Sequence, residues 1–202
     1  MKRLHRKDLY CWSSFTERID ADFNSFLWIG PQGNVAIDPL PLSPHDREHL
    51  RKLGGLAWVV FTNSDHVRGG RELDEFKPGL AGPAAEQATF PLRCDRWLSD
   101  GDQLQPGLRV AELHGSKTPG ELALLLDGTT LIAGDLLRAH RAEQLVFLLP
   151  AQGMKDIAQV TASVRKLAQS EPPIEHILVG DGWCMFGDGK RRILKLLEST
   201  KV

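Results

Sequence analysis

Apolar and polar positions alternate near the start of the chain in the way expected of a β-hairpin. The alternation covers residues 23–29, a turn-type segment follows at 30–34, and apolar residues resume at 35–37. Ser43 followed by Pro44 predicts a helix start, because serine caps helices and proline suits their first position. Residues 57–61 form an apolar run short enough to be a strand buried on both faces. The first half therefore predicts a sheet that is covered on either side.

The second half of the chain repeats this order of strands first and helices later. Its predicted strands and helices are residues 108–113, 121–126, 130–133, 154–169, 177–179 and 191–197, of which 154–169 and 191–197 are helical. A further helix is predicted between the halves, over about residues 65–76. Two halves of this kind predict an α/β/β/α sandwich in which two sheets pack face to face with helices outside. We expect one domain over residues 1–202.

The composition and net charge of the chain exclude some classes of binding partner. The net charge of -1 and the pI near 6.7 provide no field that would attract nucleic acid or an anionic membrane. No apolar run reaches the roughly 20 residues that span a bilayer, and the N-terminus lacks a signal-peptide pattern. The three widely spaced cysteines suit reduced thiols. We therefore expect a cytoplasmic protein whose partner is a small molecule, with a homodimer left open.

Polar residues that a loop does not require follow several of the predicted strands. Binding groups are commonly mounted on such loops and held by the sheet beneath. The loops are Asp38-Pro39, residues 62–70, residues 114–121, Gly134-Asp135 and residues 180–182. These segments are the places where chemistry is expected.

Taken in order, the loops resemble those of the metallo-β-lactamase superfamily over residues 23–182. The family has an aspartate after an early hairpin, a Thr-His-x-His-x-Asp-His loop, a Gly-His-Thr-Pro-Gly loop, a Gly-Asp pair and a late Gly-His-Gly. The matching positions here are Asp38, Thr62 with Gly69-Gly70, Thr118-Pro119-Gly120, Gly134-Asp135 and Gly180-Asp181-Gly182. The resemblance implies the four-layer fold of that family and a metal-dependent hydrolase of thioesters, phosphodiesters, lactams or lactones.

Most positions of the family's metal ligands carry other residues in this chain. If Thr62 anchors the second loop, Asn63 and Asp65 stand at its first two histidines, Val67 at its aspartate and Arg68 at its third histidine. Lys117 and Asp181 replace the remaining histidines, and Asp135 keeps the place of the bridging carboxylate. If Asp65-His66 is instead the family's Asp-His pair, one histidine is retained and the glycines shift by one position. Both alignments stay open.

The substituted residues change the chemistry that the site can perform. Zinc takes imidazole, thiolate or carboxylate ligands, whereas lysine and arginine have no lone pair to donate near neutral pH. A two-zinc site is therefore not expected. If Asp65, Asp135 and Asp181 converge, their charge requires compensation, which Arg68 and Lys117 can supply. A metal-free site is favoured, and the alternative is one divalent cation held by Asp135, Asp181, Asp65 or His66.

Two functions of different classes follow from this reasoning. The first is an atypical hydrolase of a small ester, thioester or phosphoester. In it, Asp135 and Asp181 act as ligands or general base, His66 as ligand or acid, and Arg68 and Lys117 as clamps for the oxyanion or phosphate. The second is a non-catalytic module that keeps the fold and binds a small anion or a protein.

Simpler structural roles are considered beside these functions. His66 is equally compatible with an exposed histidine beside a helix cap, and Asp65 with the cap itself. Trp183, Met185 and Phe186 are expected to be core residues.

Overall fold

A computed structural model describes residues 1–200 of the chain. Its strands are β1 (Lys2–Arg3), β2 (Leu9–Thr16), β3 (Ala21–Gly30), β4 (Gly33–Ile37), β5 (Trp58–Val60), β6 (Gly79–Pro83), β7 (Arg96–Leu98), β8 (Gln103–Gln105), β9 (Leu108–Leu113), β10 (Glu121–Leu126), β11 (Thr130–Ala133), β12 (Leu137–Arg141), β13 (Gln144–Phe147), β14 (His176–Val179) and β15 (Met185–Phe186). Its α-helices are α1 (Pro44–Lys52), α2 (Ile157–Ala168) and α3 (Gly189–Ser199).

Two sheets form the centre of the molecule. The first contains β1 to β7 in chain order, antiparallel up to β4 and parallel from β4 to β7. The second has the order β15-β14-β11-β10-β9-β8, in which only the β11–β14 pair is parallel. The hairpin predicted for residues 23–37 is the β3–β4 pair, whose register places Phe26 opposite Ile37.

The hydrophobic core lies in three layers between and outside the sheets. The inner layer joins residues such as Phe26 and Val60 of the first sheet to Leu124 of the second. A second layer packs the outer face of the first sheet against Leu50 of α1, and a third packs the second sheet against Val160 of α2 and residues of α3. Because each sheet buries both faces, the architecture is the predicted α/β/β/α sandwich.

Helix α1 begins as the sequence predicts. The Ser43 side chain accepts a hydrogen bond from the backbone N–H of Asp46, and Pro44 takes the first helical position. The last turn carries Arg51 and Lys52, which are favourable at the negative end of the helix dipole.

The helix predicted over about residues 65–76 is confirmed only in part. The segment is not one continuous helix but forms two 3₁₀ helices, Ser64–His66 and Gly70–Phe76. Residues 67–69 separate them, and the Gly69 N–H donates a hydrogen bond to the carbonyl of Pro39, outside any helix. This tertiary contact, together with the low helix propensity of glycine, outweighs the helical pattern.

The expected burial of the aromatic residues after Gly182 is also wrong in part. Met185 is buried at 1% exposure, but Trp183 is 62% and Phe186 48% exposed. In the short edge strand β15, the successive side chains of Met185 and Phe186 point to opposite faces, so Met185 faces the core and Phe186 does not. Trp183 precedes this strand.

Within residues 1–200, none of the helices combines the length and apolarity that crossing a bilayer requires. The cysteines are free thiols, of which Cys11 and Cys94 are buried.

Candidate functional site

The polar loops selected from the sequence converge at one edge of the sandwich. Asp38 and Thr62 follow the neighbouring parallel strands β4 and β5, while Asp135 and Asp181 follow the parallel strands β11 and β14. Parallel strands end at the same edge of a sheet, which brings each pair of loops together. The two sheets meet there through a hydrogen bond from the Leu122 N–H to the Thr62 carbonyl at 2.7 Å.

Asp38 organises the loop that follows β5. Its carboxylate accepts hydrogen bonds from the backbone N–H and the hydroxyl of Thr62, at 2.7 and 2.6 Å. The same carboxylate lies 2.8 Å from Nδ1 of His66. Asp38 has a positive φ of 47°, a conformation that aspartate tolerates better than most residues. It thus fixes the orientation of the His66 ring, which is only 1% exposed.

Asp135 lies at the centre of the cluster and is surrounded by nitrogen atoms. Its Oδ2 atom is 2.6 Å from Nζ of Lys117, 3.2 Å from the Asn63 amide nitrogen and 3.4 Å from Nε2 of His66. Its Oδ1 atom accepts a hydrogen bond from Nη2 of Arg138 at 2.7 Å. The residue is 2% exposed. Each oxygen of a buried carboxylate is therefore paired with a cation, as the cost of burying charge requires.

Asp181 shares one of these cations. Its Oδ2 atom is 3.4 Å from Nη2 of Arg138, while Oδ1 is 3.9 Å from Nη2 of Arg68 and has no hydrogen-bond partner within the described chain. Arg68 also lies over the ring of Phe23, with its guanidinium carbon 4.6 Å from the ring centroid. This cation–π contact holds Arg68 beside Asp181 rather than directly on it.

Lys117 connects the buried cluster to the surface. Its ammonium bridges Asp135 and Asp65, with a distance of 2.7 Å to Asp65 Oδ2. The Asp65 side chain is 56% exposed and that of Lys117 23%. Asp65 is not the cap that its position suggests, because the Asn63 side chain caps this turn by accepting from the Asp65 N–H. Asp65 and Lys117 therefore form the rim of the site.

The charges shift the pKa values of the cluster. Burial alone lowers the pKa of His66, but the carboxylates of Asp38 and Asp135 outweigh this effect and raise it to about 10. Burial raises the pKa of Asp135, yet His66 and Lys117 hold it well below its usual range. For Lys117, burial is outweighed by Asp135 and the pKa is raised. Burial raises the pKa of Asp181 despite the opposing charge of Arg138.

Glu121 is a further acid, to which the sequence analysis assigned no role. It is fully buried, and its two oxygens accept hydrogen bonds from the Ser116 hydroxyl and the Leu136 N–H, both at 2.8 Å. Burial and the nearby charge of Asp135 raise its pKa. Glu121 joins the Lys117 loop to the Asp135 loop.

Arg138 is the charged residue that the sequence analysis missed. Arg68 and Lys117 were the cations expected among the aspartates, but Arg138 contacts both Asp135 and Asp181 more closely than Arg68 contacts Asp181. It is 8% exposed. The available signal was a single arginine within the otherwise apolar segment of residues 136–139, three positions after Asp135.

The donor atoms of the site do not fit two zinc ions. Lys117 and Arg138 each contact one oxygen of Asp135, so neither oxygen is free to bridge two metal ions while both side-chain cations stay in place. Among residues 1–200, one group of potential ligands clusters: atoms of His66, Asp135 and Asp181 lie within 4.8 Å of one another. Nε2 of His66 and Oδ1 of Asp181 are buried without hydrogen-bond partners. One nitrogen and two carboxylate oxygens fit a single divalent cation once His66 gives up the proton that Asp38 and Asp135 stabilise, because only the neutral imidazole binds metal.

Comparison with known proteins identifies relatives of this architecture. The family model described as the metallo-beta-lactamase superfamily matches residues 1–200. A metallo-beta-lactamase from Pontibacter korlensis is 15% identical with a TM-score of 0.75, over 98% of both chains. FIM-1 from Pseudomonas aeruginosa, in its mono-zinc form, is 14% identical with a TM-score of 0.72, over 95% of this chain and 90% of that one. No curated protein matches the sequence significantly. At these identities the solved structures indicate a shared fold.

Proposed function

The chain belongs to the metallo-beta-lactamase superfamily, and we propose that it is an atypical hydrolase-type member that acts on a small ester, thioester or phosphoester without a two-zinc centre. The observation that carries this proposal is the pair of cations on Asp135. Nζ of Lys117 lies 2.6 Å from one of its oxygens and Nη2 of Arg138 lies 2.7 Å from the other. Side-chain cations thus supply positive charge where the family uses metal ions.

The accessible residues of the cluster have the most direct roles in this proposal. Asp65 is its exposed carboxylate, so it can accept a proton from a water molecule that adds to the substrate carbonyl or phosphorus. Lys117 and Arg68, with side chains 23% and 16% exposed, would stabilise the negative charge that develops on the substrate oxygen. The leaving oxygen or sulfur then takes a proton from solvent.

The buried residues position these groups. Asp135 holds the ammonium of Lys117, Asp181 lies beside Arg68, and His66 fills the space between Asp38 and Asp135. A divalent cation bound by His66, Asp135 and Asp181 would supply a Lewis acid and lower the pKa of a bound water.

A second candidate function is a non-catalytic module that binds a small anion. The observation that favours it is the burial of the cluster, since the side chains of His66, Asp135 and Asp181 are each at most 3% exposed. Groups buried to this extent do not reach a substrate unless the loops move. Arg68 and Lys117 would then bind the anion without chemistry.

Metal analysis combined with a substrate panel tests the hydrolase proposal. Protein purified without chelator is assayed on ester, thioester and phosphodiester substrates, with and without EDTA. We expect turnover that persists in EDTA and falls about 100-fold in both K117A and D65N, consistent with the loss of an electrostatic or proton-transfer group. K166A is the control, because Lys166 pairs with Asp100 at the surface, with 64% side-chain exposure. Silence over the whole panel would contradict the proposal.

Thermal shift measurements distinguish the binding module. Wild type and K117A are heated with increasing phosphate. A phosphate-dependent rise in Tm that K117A lacks supports an anion site, since a ligand stabilises the state that binds it. A lower Tm in K117A with no phosphate effect in either protein argues instead for a purely structural ion-pair network.

A further inference from the structure

We infer that Lys117 is a displaceable internal cation that competes with one divalent metal ion for Asp135, and that the ion would be held by His66, Asp135 and Asp181. This inference rests on the proposed replacement of the two-zinc centre by ion pairs. It adds that a metal ion can bind in the same site and that Lys117 of the chain itself controls this binding.

The ligand atoms are already assembled. Within the described chain, atoms of His66, Asp135 and Asp181 form the group that lies within 4.8 Å, and all three residues are buried. Nε2 of His66 and Oδ1 of Asp181 have no hydrogen-bond partner there, although each residue is at most 2% exposed. Buried polar atoms without partners are costly, so their convergence indicates a place for a ligand.

The position of the Lys117 ammonium identifies it as the competitor. Nζ of Lys117 lies 2.6 Å from Oδ2 of Asp135, and that same oxygen is 3.4 Å from Nε2 of His66. Arg138 instead contacts Oδ1, the other oxygen of Asp135. An ion between His66 and Asp135 would therefore take the oxygen that Lys117 occupies. The guanidinium of Arg138 would stay in place and offset the charge of the second carboxylate.

Lys117 is also the cation that can leave. Its side chain is 23% exposed and already contacts the exposed carboxylate of Asp65 at 2.7 Å, so the displaced ammonium keeps a partner at the surface. The Arg138 side chain is 10% exposed and is held by two buried carboxylates. Departure of a flexible, partly solvated ammonium costs less than removal of a buried guanidinium.

Cobalt titration tests the competition directly, with the visible absorption of bound Co(II) as the readout. Wild type, K117M and K117Q are titrated with Co(II), with K166M as a surface lysine control. We expect Co(II) to bind K117M and K117Q about tenfold or more tightly than wild type and K166M, because the competing ammonium is gone. K117Q keeps a hydrogen-bond donor near Asp135, so the Co(II) titration can still be made with this variant if K117M fails to fold.

Adding D181N to K117Q identifies the ligands. Co(II) binding in K117Q that is lost with D181N supports the assigned site. Equal affinity in wild type and both Lys117 variants, no binding in any protein, or binding that survives D181N would overturn the inference. The Co(II) absorption measurement does not depend on catalysis, so it can be made even if no substrate of the panel is hydrolysed. If turnover persists in EDTA but the Lys117 variants do not bind Co(II) more tightly, the proposed hydrolase is retained and the competition is rejected.

Discussion

At the scale of single residues, the cluster behaves as one electrostatic unit whose centre is Asp135. The buried carboxylate contacts Lys117, Arg138 and Asn63, and is close to His66. Such networks are stable only while complete, because removing one partner leaves a buried charge uncompensated. Arg138 is the residue whose loss should destabilise the cluster most, since its guanidinium pairs with both Asp135 and Asp181.

Substitution of Arg138 by methionine tests this description. R138M retains much of the side-chain volume but leaves Asp135 and Asp181 without their shared cation, so we expect a loss of about 3 kcal/mol in the free energy of unfolding. Urea denaturation measures it. R191M is the matched control, because Arg191 pairs with Asp188 at the surface with 76% side-chain exposure, and we expect a change within about 0.5 kcal/mol. Equal effects of the two substitutions would contradict the central role of Arg138.

At the scale of elements, the site depends on loops that approach one another at the backbone. Gly134 precedes Asp135, and a Cβ atom there would lie 2.5 Å from the Thr62 hydroxyl oxygen. Gly115 lies two residues before Lys117 in the same loop and packs against the start of α2. Its carbonyl accepts hydrogen bonds from the backbone N–H groups of Lys155 and Asp156. These close approaches set where Asp135 and Lys117 point.

A pair of glycine substitutions separates backbone strain from the contact with α2. Gly115 and Gly101 have similar positive φ angles of 87° and 85°. A Cβ atom at Gly115 would overlap the Asp156 carbonyl oxygen, whereas a Cβ atom at Gly101 would have no other heavy atom within 4 Å. G101A should lose about 1 kcal/mol of stability from strain alone. G115A should lose about 1–3 kcal/mol more from overpacking. Urea denaturation of both variants provides the comparison, and equal losses would show that the contact with α2 does not constrain the loop.

At the scale of the whole molecule, the inner core layer holds the two sheets in the relative position that the site requires. The loops after β4 and β5 belong to the first sheet, and those after β11 and β14 to the second. Leu124 lies in the central strand β10 and is fully buried in the layer between the sheets. Each sheet carries only some of the loops that form the site, so the side-chain contacts across that layer hold the two parts of the site together.

Truncation of Leu124 tests how much the core layer between the two sheets contributes to stability. L124A removes buried methyl groups and leaves a cavity between the sheets, so we expect a loss of about 2–5 kcal/mol in stability. L194A applies the same chemical change on α3, where Leu194 is 44% exposed, and should lose less than about 1 kcal/mol. Thermal and urea unfolding of both variants measure the difference. A similar loss in L194A would mean that burial between the sheets is not the main contribution at this position.

Seven of the fifteen strands in residues 1–200, β3 to β5, β9 to β11 and β14, were predicted, because their patterns are local. The bounds predicted for β9, β10 and β11 match the structure, since each is a largely apolar segment limited by turn residues, with Arg109 and Glu112 as the polar positions of β9. The structure of the segment after Thr62 was not predicted correctly, because a hydrogen bond from the Gly69 N–H to the Pro39 carbonyl opposes its helical pattern. The other eight strands were missed: β1, β2, β6, β7, β8, β12, β13 and β15. β2, for example, pairs along its whole length with β3, a contact that local pattern does not encode.

By itself, the sequence determined the fold class and the position of the polar loops along the chain. Hydrophobic periodicity and loop chemistry are local properties, and they can be inferred from the order of residues. Only the tertiary structure decided which cation faces which carboxylate. Arg138 and His66 reach Asp135 because four loops from two sheets meet at one edge, and distances across that edge depend on packing rather than on spacing along the chain.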